Sequence, residues 1–157
     1  MNKIKEYIKN GSKGDLDLTF SNIESLPKEL TLVEGSLILC ECENLTSLPD
    51  NLEVSGNLDL YKCTSLTSLP DNLKVGGVLN LGYCKSLTSI GDNLKVGGNI
   101  DLYYCKNLTS LPGTLYVKGN IYVDETFNAN AYRKEVLFMK ALNGEQVPTI
   151  DGEVIVK

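Results

Sequence analysis

Histidine and tryptophan are absent from the 157 residues, and Arg133 is the only arginine. Without histidine there is no Ser-His or Cys-His pair and no histidine-ligated metal, which removes most familiar routes to catalysis. With one arginine and a net charge of −5, the chain lacks the clustered cations that hold phosphate backbones, so no nucleic-acid partner is expected. No run of about 18 apolar residues occurs, so neither a membrane span nor a membrane partner is expected. The opening MNKIKEYIKNGSKG has no apolar signal-peptide core, and a cytoplasmic location is expected. What remains is ordinary for one soluble domain: 42% hydrophobic and 22% charged residues.

Against these absences stands a repeat. LTSLPDNLEVSG begins at Leu45, LTSLPDNLKVGG at Leu66, LTSIGDNLKVGG at Leu87 and LTSLPGTLYVKG at Leu108, each 21 residues on from the last. Glycine recurs in the same register at Gly35, Gly56, Gly77, Gly98 and Gly119. An apolar alternation recurs as Leu16/Leu18, Leu37/Leu39, Leu58/Leu60, Leu79/Leu81, Ile100/Leu102 and Ile121/Val123. A degenerate copy, IESLPKEL, starts at Ile23. A fixed period of this length means a solenoid, whose coils bury their apolar residues only by stacking. The register predicts about six coils between Leu16 and Thr126. Within each, L-x-L is a strand, proline ends it, Asp-Asn makes a turn, and glycine marks a corner of positive φ or close backbone approach. Helical spacing is missing inside the coil, so the outer side should be extended or 3₁₀ and the stack nearly flat.

The segments LDLYKCTSLTSLP (58–70) and IDLYYCKNLTSLP (100–112) match L-x-L-x-x-[N/C]-x-x-L, and the chain resembles the leucine-rich repeat family over residues 16–126. LTSLP resembles the LPX-type repeats of secreted bacterial effectors, and the cysteine resembles that of the cysteine-containing subclass. The resemblance implies a right-handed solenoid with a parallel strand ladder on its concave face, and a bias toward protein binding. Compact repeats of this sort are similar to those of bacterial and phage proteins, where inhibiting or scaffolding a host protein is a common use.

Cys42, Cys63, Cys84 and Cys105 form a 21-residue series, with Cys40 a fifth. In-register thiolates spread along a stack cannot converge on one zinc at about 2.3 Å, and their spacing of about 4.8 Å exceeds that of disulfide Cβ atoms. They read as buried small hydrophobes in a reducing compartment. Asp50, Asp71 and Asp92 read as turn formers rather than a calcium ladder. Asp59 and Asp101, two coils apart, stand roughly 10 Å from each other, beyond the usual range of paired glycosidase carboxylates. No catalytic residue, metal or cofactor is therefore expected.

The outward strand positions are more telling. Asp59, Tyr61, Tyr83, Asp101, Tyr103, Tyr104 and Tyr122, with Asp124 nearby, give one face the makeup of a protein interface, since tyrosine offers large area and a polar tip. Residues 1–15 should form an N-terminal cap with a short helix over 2–10. Residues 127–157 should form a C-terminal cap: a helix from about Asn130 to Leu142, with Tyr132, Val136 and Met139 on one face, then a hairpin around Asp151-Gly152. Leu137, Phe138 and Leu142 leave apolar surface for self-association or a partner. The leading expectation is a non-catalytic protein-binding solenoid of unknown partner. A secreted or surface adhesion module is the alternative, and an enzyme fragment a weaker one.

Overall fold

The computed structural model describes residues 2–125, 127, 141, 143–144 and 146–156. The apolar columns of the sequence become the inside of a β-solenoid of about five turns. A short helix α1 (Asn2–Lys9) precedes it and places Ile4 in the core. Each coil contributes two short strands. The L-x-L positions form β1 (Leu16–Asp17), β3 (Leu37–Ile38), β5 (Leu58–Asp59), β7 (Leu79–Asn80), β9 (Ile100–Asp101) and β11 (Ile121–Val123). Between them run β2 (Leu32–Val33), β4 (Glu53–Val54), β6 (Lys74–Val75), β8 (Lys95–Val96) and β10 (Tyr116–Val117). Last come β12 (Thr149–Ile150) and β13 (Val154–Val156).

Odd-numbered strands stack in one parallel sheet and even-numbered strands in a second. The register is the sequence period: Leu37 pairs with Leu58, Leu58 with Leu79, and Leu79 with Ile100. The LTSLP side is joined by isolated bridges such as Ser68 to Ser89. In one coil Leu58, Leu60, Cys63, Leu66, Leu69, Leu73 and Val75 all point inward, none more than 3% exposed. No helix occurs between residues 10 and 125.

One expectation changes and two open alternatives are decided. The hairpin at Asp151-Gly152 is not one. β12 pairs in parallel with β10, and β13 with β11, so the two strands lie in different sheets. TIDGEVIV repeats the YVKGNIYV of residues 116–123, and Gly152 takes the glycine corner, where a Cβ would meet the Gly119 carbonyl. From Gly35 to Gly119 the glycine series is set by proximity, whereas Gly14, one period ahead of it, has φ of 76° and nothing within 4 Å of an added Cβ. A Cβ on Gly98 would lie 2.8 Å from the Gly77 carbonyl carbon, while no glycine of the series has positive φ. Positive φ falls instead on Asn51, Asn72 and Asn93, a residue type that tolerates it. Their amides form a ladder, Asn72 donating to Asn51 at 3.3 Å and Asn93 to Asn72 at 3.2 Å. The second sheet is the extended form of the outer side, and no 3₁₀ helix occurs between residues 10 and 125. The C-terminal helix expected over Asn130 to Leu142, with Leu137 and Phe138, lies outside the described residues except for Ala141.

The residue after each corner glycine accepts a backbone N–H from the next coil. Asp15 Oδ1 takes Ser36 N at 2.7 Å, Ser36 Oγ takes Asn57 N at 3.1 Å, and Asn57 Oδ1 takes Val78 N at 2.8 Å. Asn99 Oδ1 takes Asn120 N at 2.9 Å. Val78, 38% exposed, interrupts the series because it has no acceptor for Asn99 N. Val78→Asn should therefore raise stability by about 1 kcal/mol in urea titration, the worth of one hydrogen bond.

Candidate functional site

Where β1, β5, β7 and β9 end, an Asp or Asn folds back on the backbone two residues on. Asp59 Oδ1 accepts from Tyr61 N at 3.0 Å, Asn80 Oδ1 from Gly82 N at 3.0 Å, and Asp101 Oδ1 from Tyr103 N at 2.8 Å. These are Asx turns, so the carboxylates expected as interface residues hold the turns that present the tyrosines. Asp124, expected to face outward, is only 6% exposed, and its Oδ2 accepts from Tyr104 N at 2.7 Å. A buried carboxylate needs such a donor.

Tyr61, Tyr83, Tyr103 and Tyr104 meet in one half-buried cluster. Tyr83 stacks on Tyr104 with centroids 4.6 Å apart and planes at 26°. Tyr103 stands edge-on to Tyr104 at 4.5 Å, and Tyr61 edge-on to Tyr83 at 5.5 Å. Such offset and edge-to-face pairs each add about 0.5–1.5 kcal/mol beyond burial. Gly82, in the column between Tyr61 and Tyr103, makes this possible: a Cβ there would lie 3.2 Å from Tyr61 Cδ2. Desolvation, then the neighbouring phenols of Tyr104 and Tyr61, raise the Tyr83 pKa above its usual value. Tyr103 is raised first by the Tyr104 phenol. Lys62 Nζ lies 5.4 Å from the Tyr61 ring centroid and 3.2 Å from Glu41 Oε1. Lys106 Nζ lies 5.6 Å from the Tyr104 centroid. Tyr122 stands one coil on in the column of Asp101, where Asn120 Nδ2 donates to its hydroxyl at 3.4 Å.

One column of this face is not anticipated by composition. Phe20, Glu41, Lys62, Tyr83 and Tyr104, each just before the cysteine position, all hold φ between 57° and 62°. Large side chains in this region cost of order 1 kcal/mol each. Phe20 is also 71% exposed. The sequence signal was the second x of L-x-L-x-x-C, where neither glycine nor asparagine occurs.

Beneath the face, the thiols of Cys42, Cys63, Cys84 and Cys105 are at most 3% exposed. Each donates across one coil, to the carbonyls of Leu18, Leu39, Leu60 and Leu81 at 3.0–3.2 Å. They are donors as well as small apolar side chains, and the same carbonyls also accept the N–H three residues on, as Leu60 accepts Cys63 N at 3.0 Å. Burial pushes the Cys63 and Cys105 thiols up to about 12 from 9.0, and raises Cys84 too. Thiol reagents should label these positions slowly at pH 8 and quickly in denaturant, because only thiolate reacts. Neutral thiols favour the fold below pH 9, and this contribution is lost as pH climbs from about 9 toward 12, where unfolded thiols ionise first. The melting temperature should fall across that window. Fast native labelling of all four would show the column to be exposed.

No protein-family model matches the chain, and neither a curated protein nor a solved structure matches it.

Proposed function

We propose that the chain is a non-catalytic protein-binding solenoid of the leucine-rich repeat type, with six coils, whose tyrosine face engages another protein. The observation that carries this is the four-ring cluster of Tyr61, Tyr83, Tyr103 and Tyr104, half exposed beside Lys62 and Lys106. Buried in a core, aromatic rings need no such arrangement. On a surface, amphipathic rings fixed by turns give contact area at little entropy cost. Two of the four, Tyr83 and Tyr104, keep a backbone conformation that glycine or asparagine would hold more cheaply, which favours a role for the side chains themselves. The setting proposed is the cytoplasm, where five unpaired thiols remain reduced.

The test is a partner captured with the wild-type chain and titrated against Tyr61→Ala with Tyr103→Ala. Stability should change by no more than the three lost ring pairs account for, about 1.5–4.5 kcal/mol. Affinity should fall by about 2 kcal/mol or more per hot-spot residue, roughly thirtyfold for each. Wild-type affinity in the folded double variant would remove the tyrosine face from the binding site.

A further inference from the structure

The column of positive φ and the column two residues beyond it change character along the stack. Toward the N-terminal end lie exposed Phe20, then Glu41 and Glu43; toward the C-terminal end lie Tyr83, Lys85 and Tyr104, Lys106. Lys62 sits at the middle coil. The strip carries an aromatic ring at each end, Phe20 and Tyr104, and is acidic on one side of the middle and basic on the other. Turned end for end, it is complementary to itself.

We propose that this strip docks on the same strip of a second copy of the chain, about a twofold axis parallel to the strands at the coil of Lys62. The inference rests on the reading of the tyrosine face as a protein-binding surface. Under that symmetry coil faces coil in reverse order, so Glu43 of each copy meets Lys85 of the other and Phe20 meets Tyr104. Such an isologous contact repeats every pair twice. Lys62 meets its own counterpart, but each leans toward Glu41 of its own chain at 3.2 Å, so the two ammonium groups point in opposite directions. The contact uses the turn edge of the face. The column of Asp17, Asp59 and Asp101 stays outside it, because there carboxylate would meet carboxylate. Four coil spacings make the strip only about 19 Å long. The interface is therefore at the small end of specific contacts, and the dimer forms at micromolar concentrations.

Sedimentation equilibrium of the full chain tests this. Wild type should show a concentration-dependent monomer–dimer equilibrium. Glu43→Lys alone and Lys85→Glu alone should each weaken it about tenfold or more, since each creates two like-charge contacts. The two together should restore it to within about threefold of wild type. Phe20→Ala, at a position too exposed to hold the fold, should weaken it as well. A wild type that stays monomeric into the hundreds of micromolar overturns the inference, as does a double variant no tighter than the singles. Either result leaves the tyrosine face to be judged by its titration against a captured partner.

Discussion

Leu81→Asp should leave the chain unfolded at 25 °C, with the β signal in far-ultraviolet circular dichroism lost. Leu81 is fully buried between Leu60 and Leu102 in neighbouring coils, and its carbonyl holds both Cys84 N at 3.1 Å and Cys105 Sγ at 3.0 Å. Removing the side chain from the apolar stack forfeits about 2–3 kcal/mol of burial. The carboxylate then costs several kcal/mol more, because no cation lies within the column to pair with it. A domain of this size is stable by only about 5–15 kcal/mol, so one substitution of this kind consumes most of it. The neighbouring coils cannot adjust separately, since each leucine also covers the next. A variant that melts like wild type would mean that the L-x-L column is not inside.

Gly98→Ala should be the second most damaging change, at about 3 kcal/mol in urea titration, the upper part of the range for overpacking. The added carbon would fall 2.8 Å from Gly77 C and O and 3.0 Å from Val78 N. All three are backbone atoms, which cannot rotate aside as a flexible side chain can. The contrast is Gly11→Ala. Gly11 has φ of 84° but nothing within 4 Å of the added carbon, so only backbone strain of about 1–2 kcal/mol applies. If Gly11→Ala proved the worse of the two, close approach of successive coils would not be the reason for the glycine column.

The fold was legible because its period is written in leucine. Every L-x-L pair from Leu16/Leu18 to Ile121/Val123 is buried, and α1 ends within a residue of its expected stop. The second sheet was legible too, in the alternation Leu52, Glu53, Val54, but a two-residue strand beside a glycine reads equally as a turn. The C-terminal strands misled for a definite reason. Asp-Gly between two apolar pairs is the local signature of a hairpin, and only stacking on Gly119 reveals the same dipeptide as a solenoid corner. Glycine likewise pointed to two causes, and the sequence could not choose between them. The tyrosine face was legible as a set of columns. Its internal order was not, because Tyr83 lies between Tyr61 and Tyr103 only when Gly82 leaves room for a ring to lean. Asp124 was misplaced since the in–out alternation stops at Val123: Val123 and Asp124 are both buried, the carboxylate turned in to accept from Tyr104 N.

The central claim is that the tyrosine face is the binding surface. It is tested most directly by hydroxyl-radical footprinting read residue by residue in a mass spectrometer, with and without a captured partner. Tyr61, Tyr83, Tyr103 and Tyr104 should be oxidised measurably in the free chain, being half exposed, and severalfold less in the complex. Tyr116, 39% exposed on the opposite sheet, should be unchanged. Protection of Tyr116 with the four-ring cluster still fully reactive would contradict the account and move the binding surface to the other sheet.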